Sequence, residues 1–243
     1  DYRDTLKSYG VLVDPEVRME VIRFQAQTLA EGVGGAIPDD PALLEEVTHL
    51  VEVPTALLGS FEEKYLDLPQ EVLIAVMKKH QRYFPVLDDE GRMLPYFITV
   101  RNGGRENLDI VREGNEGVIR ARYADAAYFY AQDTKRPLDD FVPELHKLTF
   151  QEDLGSMLDK TERLEALAMW LGARLGISAL ELDLLQRAGH LCKADLATEM
   201  VVEMTSLQGI MGMKYALLSG EPDAVAQAIF EHYLPRSADD MLP

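Results

Sequence analysis

The chain has 243 residues, 47% hydrophobic and 27% charged, a globular composition that rules out wholesale disorder and allows one large domain or two smaller ones. Lysine and arginine number 24 against 42 acidic residues, and the net charge of −18 speaks against indiscriminate binding to nucleic acid or anionic membrane. The single cysteine, Cys192, excludes a disulfide framework and a thiolate zinc cluster and suits a reducing cytosol; no apolar run is long enough to span a bilayer, and none opens the chain as a secretory signal.

Asp14 as cap, Pro15 at the first helical position, and Val17, Val21, Phe24 and Thr28 at helical spacing predict a first helix, ended by Gly32, Gly34 and Gly35. A second is expected over about 41–51 with Leu43, Leu44, Val47 and Leu50 inward. Leu68-Pro69 opens a third, in which Leu73, Val76, Met77 and His80 share a face. Residues 83–87, the turn Asp88-Asp89-Glu90-Gly91 and residues 93–100 read as strand, turn, strand, broken by Asn102-Gly103-Gly104. A further helix covers about 107–131. After Gln151 no strand signal remains. Ser156 caps a helix carrying Leu164, Leu167, Leu171 and Leu175; Ser178 and Glu181 form a capping box; helices follow near 189–204, 209–218 and 222–233. The expected class is α+β, with a mixed helix and antiparallel-sheet domain over 1–150 and an all-helical domain over 151–243. The chain starts at Asp1 and stops in Asp239-Asp240-Met241-Leu242-Pro243, which reads as a piece of a larger protein.

Several chemistries lack their signatures. There is no Gly-x-x-x-x-Gly-Lys phosphate loop, no Gly-x-Gly-x-x-Gly fingerprint and no Gly-x-Ser-x-Gly elbow. Five histidines are scattered over 49, 80, 146, 190 and 232, and His190 and Asp195 are spaced to miss a common helical face. His190 therefore reads as packed or capping before it reads as a metal ligand, and Cys192 as a small buried hydrophobe. Asp195, Glu199 and Glu203 recur every four positions, either as a solvated acidic face or as a carboxylate-lined pocket. Gly209 and Gly212 suggest close helix packing.

The window 78–122 differs from the rest. It holds nine basic and seven acidic residues, a local +2 that leaves −20 for the remainder. Its core, Met77-Lys78-Lys79-His80-Gln81-Arg82-Tyr83-Phe84, sets cations beside two aromatics. Cations can engage phosphates while Tyr and Phe stack on bases; the alternative is a solvated helix end followed by ordinary surface arginines.

These segments carry a resemblance. Residues 45–54 (Glu-Glu-Val-Thr-His-Leu-Val-Glu-Val-Pro), 68–73 (Leu-Pro-Gln-Glu-Val-Leu), 79–84 (Lys-His-Gln-Arg-Tyr-Phe), 114–116 (Gly-Asn-Glu) and 121–126 (Ala-Arg-Tyr-Ala-Asp-Ala), with 192–203, 207–212 and 231–236 (Glu-His-Tyr-Leu-Pro-Arg), are similar to the β subunit of bacterial heterotetrameric glycyl-tRNA synthetase. The similarity runs over nearly the whole chain. It implies a cytoplasmic subunit that supplies tRNA recognition to an enzyme of two α and two β subunits, in which the α subunit activates glycine with ATP and Mg. It also implies an amino-terminal part like the mixed domain of the phenylalanyl-tRNA synthetase β chain, then an HD-superfamily domain, with an anticodon-binding domain beyond the stretch held here.

No histidine in this chain is followed by aspartate, so the HD metal pair is missing; the corresponding segment is Cys192-Lys193-Ala194-Asp195, with a lysine where a metal would sit. Gly117 stands where relatives of this kind are expected to carry arginine. The resemblance therefore implies a non-catalytic stretch with no metal ligand, no cofactor of its own and no membrane contact. Glycine tRNA and the α subunit are its expected partners. The candidate tRNA-binding residues are Lys78, Lys79, His80, Arg82, Arg101, Arg105, Arg120 and Arg122, with Lys193 set apart from them. Two other readings remain: a metal-dependent HD-type phosphohydrolase, and a module that only holds subunits together.

Overall fold

The computed structural model describes residues 1–238 and 240–243, and for His80 the backbone alone. The backbone separates into two compact units, Asp1–Ala127 and Tyr128–Pro243.

In the first unit, α1 (Tyr2–Ser8) and α2 (Pro15–Glu31) precede α3 (Pro41–Leu50). The Asp14 carboxylate accepts from Glu16 N with Pro15 behind it, as read from sequence, and Asp40, not named as a cap there, does the same for Leu43 N ahead of α3. The buried face of α2 lies one residue along from the expected one. Arg18, Ile22, Ala26 and Ala30 face inward, while Val17 and Phe24 are exposed. Arg18 is tolerated there because Nε donates to Thr48 O at 2.7 Å and Nη1 to Leu12 O at 2.5 Å. Leu50 is also exposed rather than inward.

Strand β1 (Pro54–Ser60), which the sequence pattern did not signal, is followed by α4 (Gln70–Val76), a π-turn over Met77–Gln81, β2 (Phe84–Leu87) and β3 (Met93–Asn102). The three strands pair antiparallel in the order β1-β3-β2, so β1 is an edge. One sheet face supplies Phe84, Val86 and Ile98 to a core with Ile22, Ala26, Leu43, Leu44 and Val47 of α2 and α3. On the other face Phe97 lies over Gly59, its cross-strand partner, and stacks on Tyr83 at 4.8 Å. A Cβ at Gly59 would sit 2.3 Å from the Phe97 ring, so the close approach requires glycine. Helix α5 (Leu108–Asp133) begins in this unit and ends in the next.

The second unit opens with the last turns of α5 and a 3-10 stretch, Leu138–Lys147, that buries Leu138, Phe141, Val142 and Leu145. These side chains belong to the helical core, so the division between units falls ahead of the expected 150/151 boundary. A small ribbon follows, β4 (Thr149–Gln151) with β5 (Gly155–Ser156), adding a strand pair where only helices were expected. Helices α6 (Met157–Leu175) and α7 (Ala179–Leu191) each begin with a complete capping box, Ser156/Asp159 and Ser178/Glu181. The expected single helix over 189–204 is broken: α7 stops at Leu191, a 3-10 turn covers Ala194–Ala197, and α8 (Glu199–Glu203) starts afresh. Helices α9 (Ile210–Leu218) and α10 (Asp223–Glu231) complete the unit. The described architecture is α+β, helices with a small antiparallel sheet.

Candidate functional site

The segments that carry the resemblance bond to one another. Arg82, at left-handed φ 55°, sends Nε to Glu46 Oε1 at 2.8 Å. The Tyr83 hydroxyl meets Asn115 Oδ1, and the Tyr123 hydroxyl donates to Leu73 O at 3.2 Å. Gln70 clasps the β2–β3 turn, donating to Gly91 O and accepting from Met93 N. Tyr83 and Phe84 are buried, 4% and 2% exposed, so neither is placed to stack on a base; burial pushes the Tyr83 hydroxyl up to about 12. These residues hold the fold together.

The candidate cations sort by what already engages them. Lys78 pairs with Asp40, whose carboxyl is penalised by burial yet held below the usual range by the Lys78 ammonium and the Leu43 amide. Arg82 pairs with Glu46, and Arg120 lies 3.6 Å from Glu62. Arg101 donates from Nη1 to Glu106 O at 2.7 Å, folding over its own loop. Arg120 and Arg122 stand two apart on α5, so they project about 200° from each other and share no face. The His80 side chain lies outside the described residues. Lys79, Arg105 and Arg122 are exposed and ion-paired to no other described residue. Three of the candidates, Lys78, Arg82 and Arg120, are thus already held by carboxylates.

A groove of about 580 Å³ runs along the β1 edge between α2 and α5, lined by Gln25, Leu29, Arg105, Leu108, Arg112 and Glu116 among others. Sequence reading counted Arg112 and Glu116 in the charged window, and Glu116 in the 114–116 signature, without proposing either as a site residue, and it passed over Gln25. The four-residue spacing of Arg112 and Glu116 on a predicted helix was the available signal, since it puts both on one face. Gln25 had none.

In the second unit Lys193 is 8% exposed, which removes it from the surface cations. Its Nζ lies 2.6 Å from His232 Nε2 and 3.7 Å from the Tyr233 ring centre. His232 Nδ1, 2.7 Å from Ile229 O, carries the ring proton in that geometry, leaving the Nε2 lone pair to Lys193. Asp195 is wholly buried, not part of a solvated stripe, because the break after α7 turns it inward. Its Oδ2 accepts from Gly209 N at 2.6 Å and Gly212 N at 3.2 Å; a Cβ on Gly212 would stand 2.9 Å from that oxygen. Burial pushes the Asp195 carboxyl up to about 6 against the pull of those amides and of Lys193. Burial likewise lowers Lys193, drives His232 down to about 4 and lifts the Cys192 thiol to about 11. An un-ionised thiol is a poor nucleophile.

His190 is engaged elsewhere. Its ring bridges Asp139 Oδ1 at 2.9 Å and Glu165 Oε2 at 3.4 Å, beside an Arg187–Glu221 pair closing at 2.6 Å. Among the described residues no three His, Cys, Asp or Glu side chains are grouped so as to hold a metal ion, and no helix is long and apolar enough to cross a membrane.

The family comparison gives the class, a family named for a subunit of an aminoacyl-tRNA synthetase. The model described as "Glycyl-tRNA synthetase beta subunit" matches residues 1–243, and the chain belongs to that family. It is 49% identical to the glycine–tRNA ligase beta subunit of Acaryochloris marina, 50% to that of Desulforamulus reducens and 48% to that of Bacillus subtilis, each alignment covering all of this chain. The same alignments cover 34%, 35% and 36% of those relatives, so the chain spans about a third of their length.

Proposed function

We propose that this chain is a tRNA-recognition, non-catalytic portion of a cytoplasmic glycine–tRNA ligase, working with an α subunit that performs the ATP-dependent chemistry. The observation that carries the reading is the family match over both units. Among the cations, Lys79 and Arg122 are the preferred phosphate contacts, because an arginine or lysine already held by a carboxylate must give up that partner to bind RNA. Filter binding of glycine tRNA and unrelated tRNAs across a salt series tests this. Preference for glycine tRNA that weakens with salt supports the reading, and indifference between tRNAs removes it.

The helical unit is read as HD-like with its hydrolytic chemistry lost. The ammonium of Lys193 standing against His232, beside Asp195, supports that reading over a working phosphohydrolase. Elemental analysis for transition metal, with a phosphodiester turnover assay, separates the two. A subunit-docking role is favoured by one observation: α6 leaves Leu167, Trp170, Leu171 and Leu175 exposed on adjacent turns. Trp170 is the only tryptophan, so a change in its emission on adding the α subunit is the direct readout.

A further inference from the structure

The edge of β1 is occupied by side chains that imitate a neighbouring strand. The Gln25 carboxamide donates to Pro54 O at 3.3 Å and accepts from Ala56 N at 2.8 Å, the two groups flanking Thr55. Four residues on, Arg112 Nε donates to Leu58 O at 3.0 Å and Glu116 Oε1 accepts from Ser60 N at 2.8 Å, the two groups flanking Gly59. A residue of a parallel strand makes this pattern, giving its N–H to the preceding carbonyl and taking the following N–H. Two rungs of a parallel ladder are thus filled by side chains. Strand parity turns the Ala56 C=O and the Leu58 N–H the same way, and no described side chain bonds them. The middle rung is open, inside the groove.

We propose that this groove takes an extended polypeptide segment running parallel to β1, with a carboxylate near its amino-terminal end. The segment's backbone fills the middle rung and exchanges with Gln25, Arg112 and Glu116 at the outer two. Exchange leaves nothing stranded, because Arg112 is exposed and the half-buried Gln25 and Glu116 still reach solvent and can turn out to water. Burial against Leu29, Tyr96 and Leu108 supplies the gain. The carboxylate follows from Arg105, exposed in the groove with no ion pair among the described residues. Its place follows from the chain: Thr55 Oγ1 donates to Gly103 O, which puts the loop leading to Arg105 at the Thr55 end of β1. A parallel segment enters at that end.

The test uses the full-length subunit with its α partner and a fluorescent capped peptide, acetyl-Glu-Val-Thr-Val-Thr-Val-amide, followed by anisotropy. Saturable binding is expected, weakened at least about tenfold by N-methylation of the central amides, which removes the ladder donor. Arg105→Ala, or lysine in place of the peptide's glutamate, lowers affinity about fivefold or more. Gln25→Ala, which empties an outer rung, leaves peptide affinity equal or tighter. No binding up to millimolar peptide, equal binding of the N-methylated peptide, or loss of binding in Gln25→Ala overturns the proposal. So does an RNA oligonucleotide binding through Arg105 where the peptide does not, or self-association of Gln25→Ala in the peptide's absence. The tRNA reading stands or falls separately, since it rests on Lys79 and Arg122.

Discussion

Asp195 carries the clearest consequences at the scale of one residue. Its folded pKa of about 6 lies above the roughly 3.9 of an unfolded aspartate. Between those values the native state keeps a proton that the unfolded chain has released, so this group makes stability fall as pH rises from about 4 to about 6. His232 acts in the opposite sense: depressed to about 4, it makes stability rise with pH up to roughly 6.5, where an unfolded histidine has lost its proton. More than a third of His232 meets solvent, which screens its share, whereas Asp195 is wholly buried. The aspartate therefore dominates, at about 2–3 kcal/mol across its window. Denaturant unfolding at pH 4, 5 and 6 should show Asp195→Asn gaining stability relative to the native protein as pH rises, and His232→Gln losing it. An Asp195→Asn profile parallel to the native one contradicts the assignment.

A second residue-scale expectation concerns Gly59. Alanine there meets the Phe97 ring and forces it off Tyr83, at a cost of about 1–3 kcal/mol. Phe97→Leu in the Gly59→Ala background should recover part of that loss, which a double-mutant cycle measures as a coupling between the two sites; additive losses count against it.

Elements were legible where their ends are chemically marked. Asp14-Pro15, Ser156 and Ser178 with Glu181 each announce a helix start, and each helix begins where its cap says. Strand β1 was hidden because Pro54-Thr-Ala-Leu-Leu-Gly-Ser shows no period-2 alternation: both sheet faces are covered, and the outer rungs of its free edge are met by residues far away in sequence. The break after α7 was hidden for a related reason. Asp195, Glu199 and Glu203 keep helical spacing, but what stops the helix is tertiary, the demand of the Gly209 and Gly212 amides for Asp195 and of the α8 start for Asp133. Asp133 is 3% exposed, accepts from Glu199 N and Met200 N, and receives the Tyr215 hydroxyl at 2.8 Å. Removing it strands three donors. Asp133→Ala should destabilise the helical unit by about 3 kcal/mol or more, read by denaturant unfolding, while Glu203→Ala, on the exposed side of α8, changes stability by less than about 0.5 kcal/mol.

For the whole molecule, the charge of −18 and the cation-rich window are reconciled by pairing. Lys78, Arg82 and Arg120 are engaged by Asp40, Glu46 and Glu62, so counting charges along the window overstated what is available to RNA. The candidate site was legible as a list of residue types and not as a surface, because its partners come from α3 and the segment after β1. Lys193 shows the limit most plainly, since nothing local distinguishes a buried lysine from an exposed one. On the proposed function, the paired signature residues maintain the fold and the unpaired cations meet tRNA. The most direct test of this compares two variants of the full-length subunit with its α partner, binding glycine tRNA from low to high salt. Lys79→Ala with Arg122→Ala should weaken binding and flatten the salt slope by about 1.5, near 0.7–0.9 for each lost phosphate contact. Lys78→Ala with Arg120→Ala should leave the slope close to the native value. The account is contradicted if the second pair abolishes the salt dependence and the first leaves it untouched.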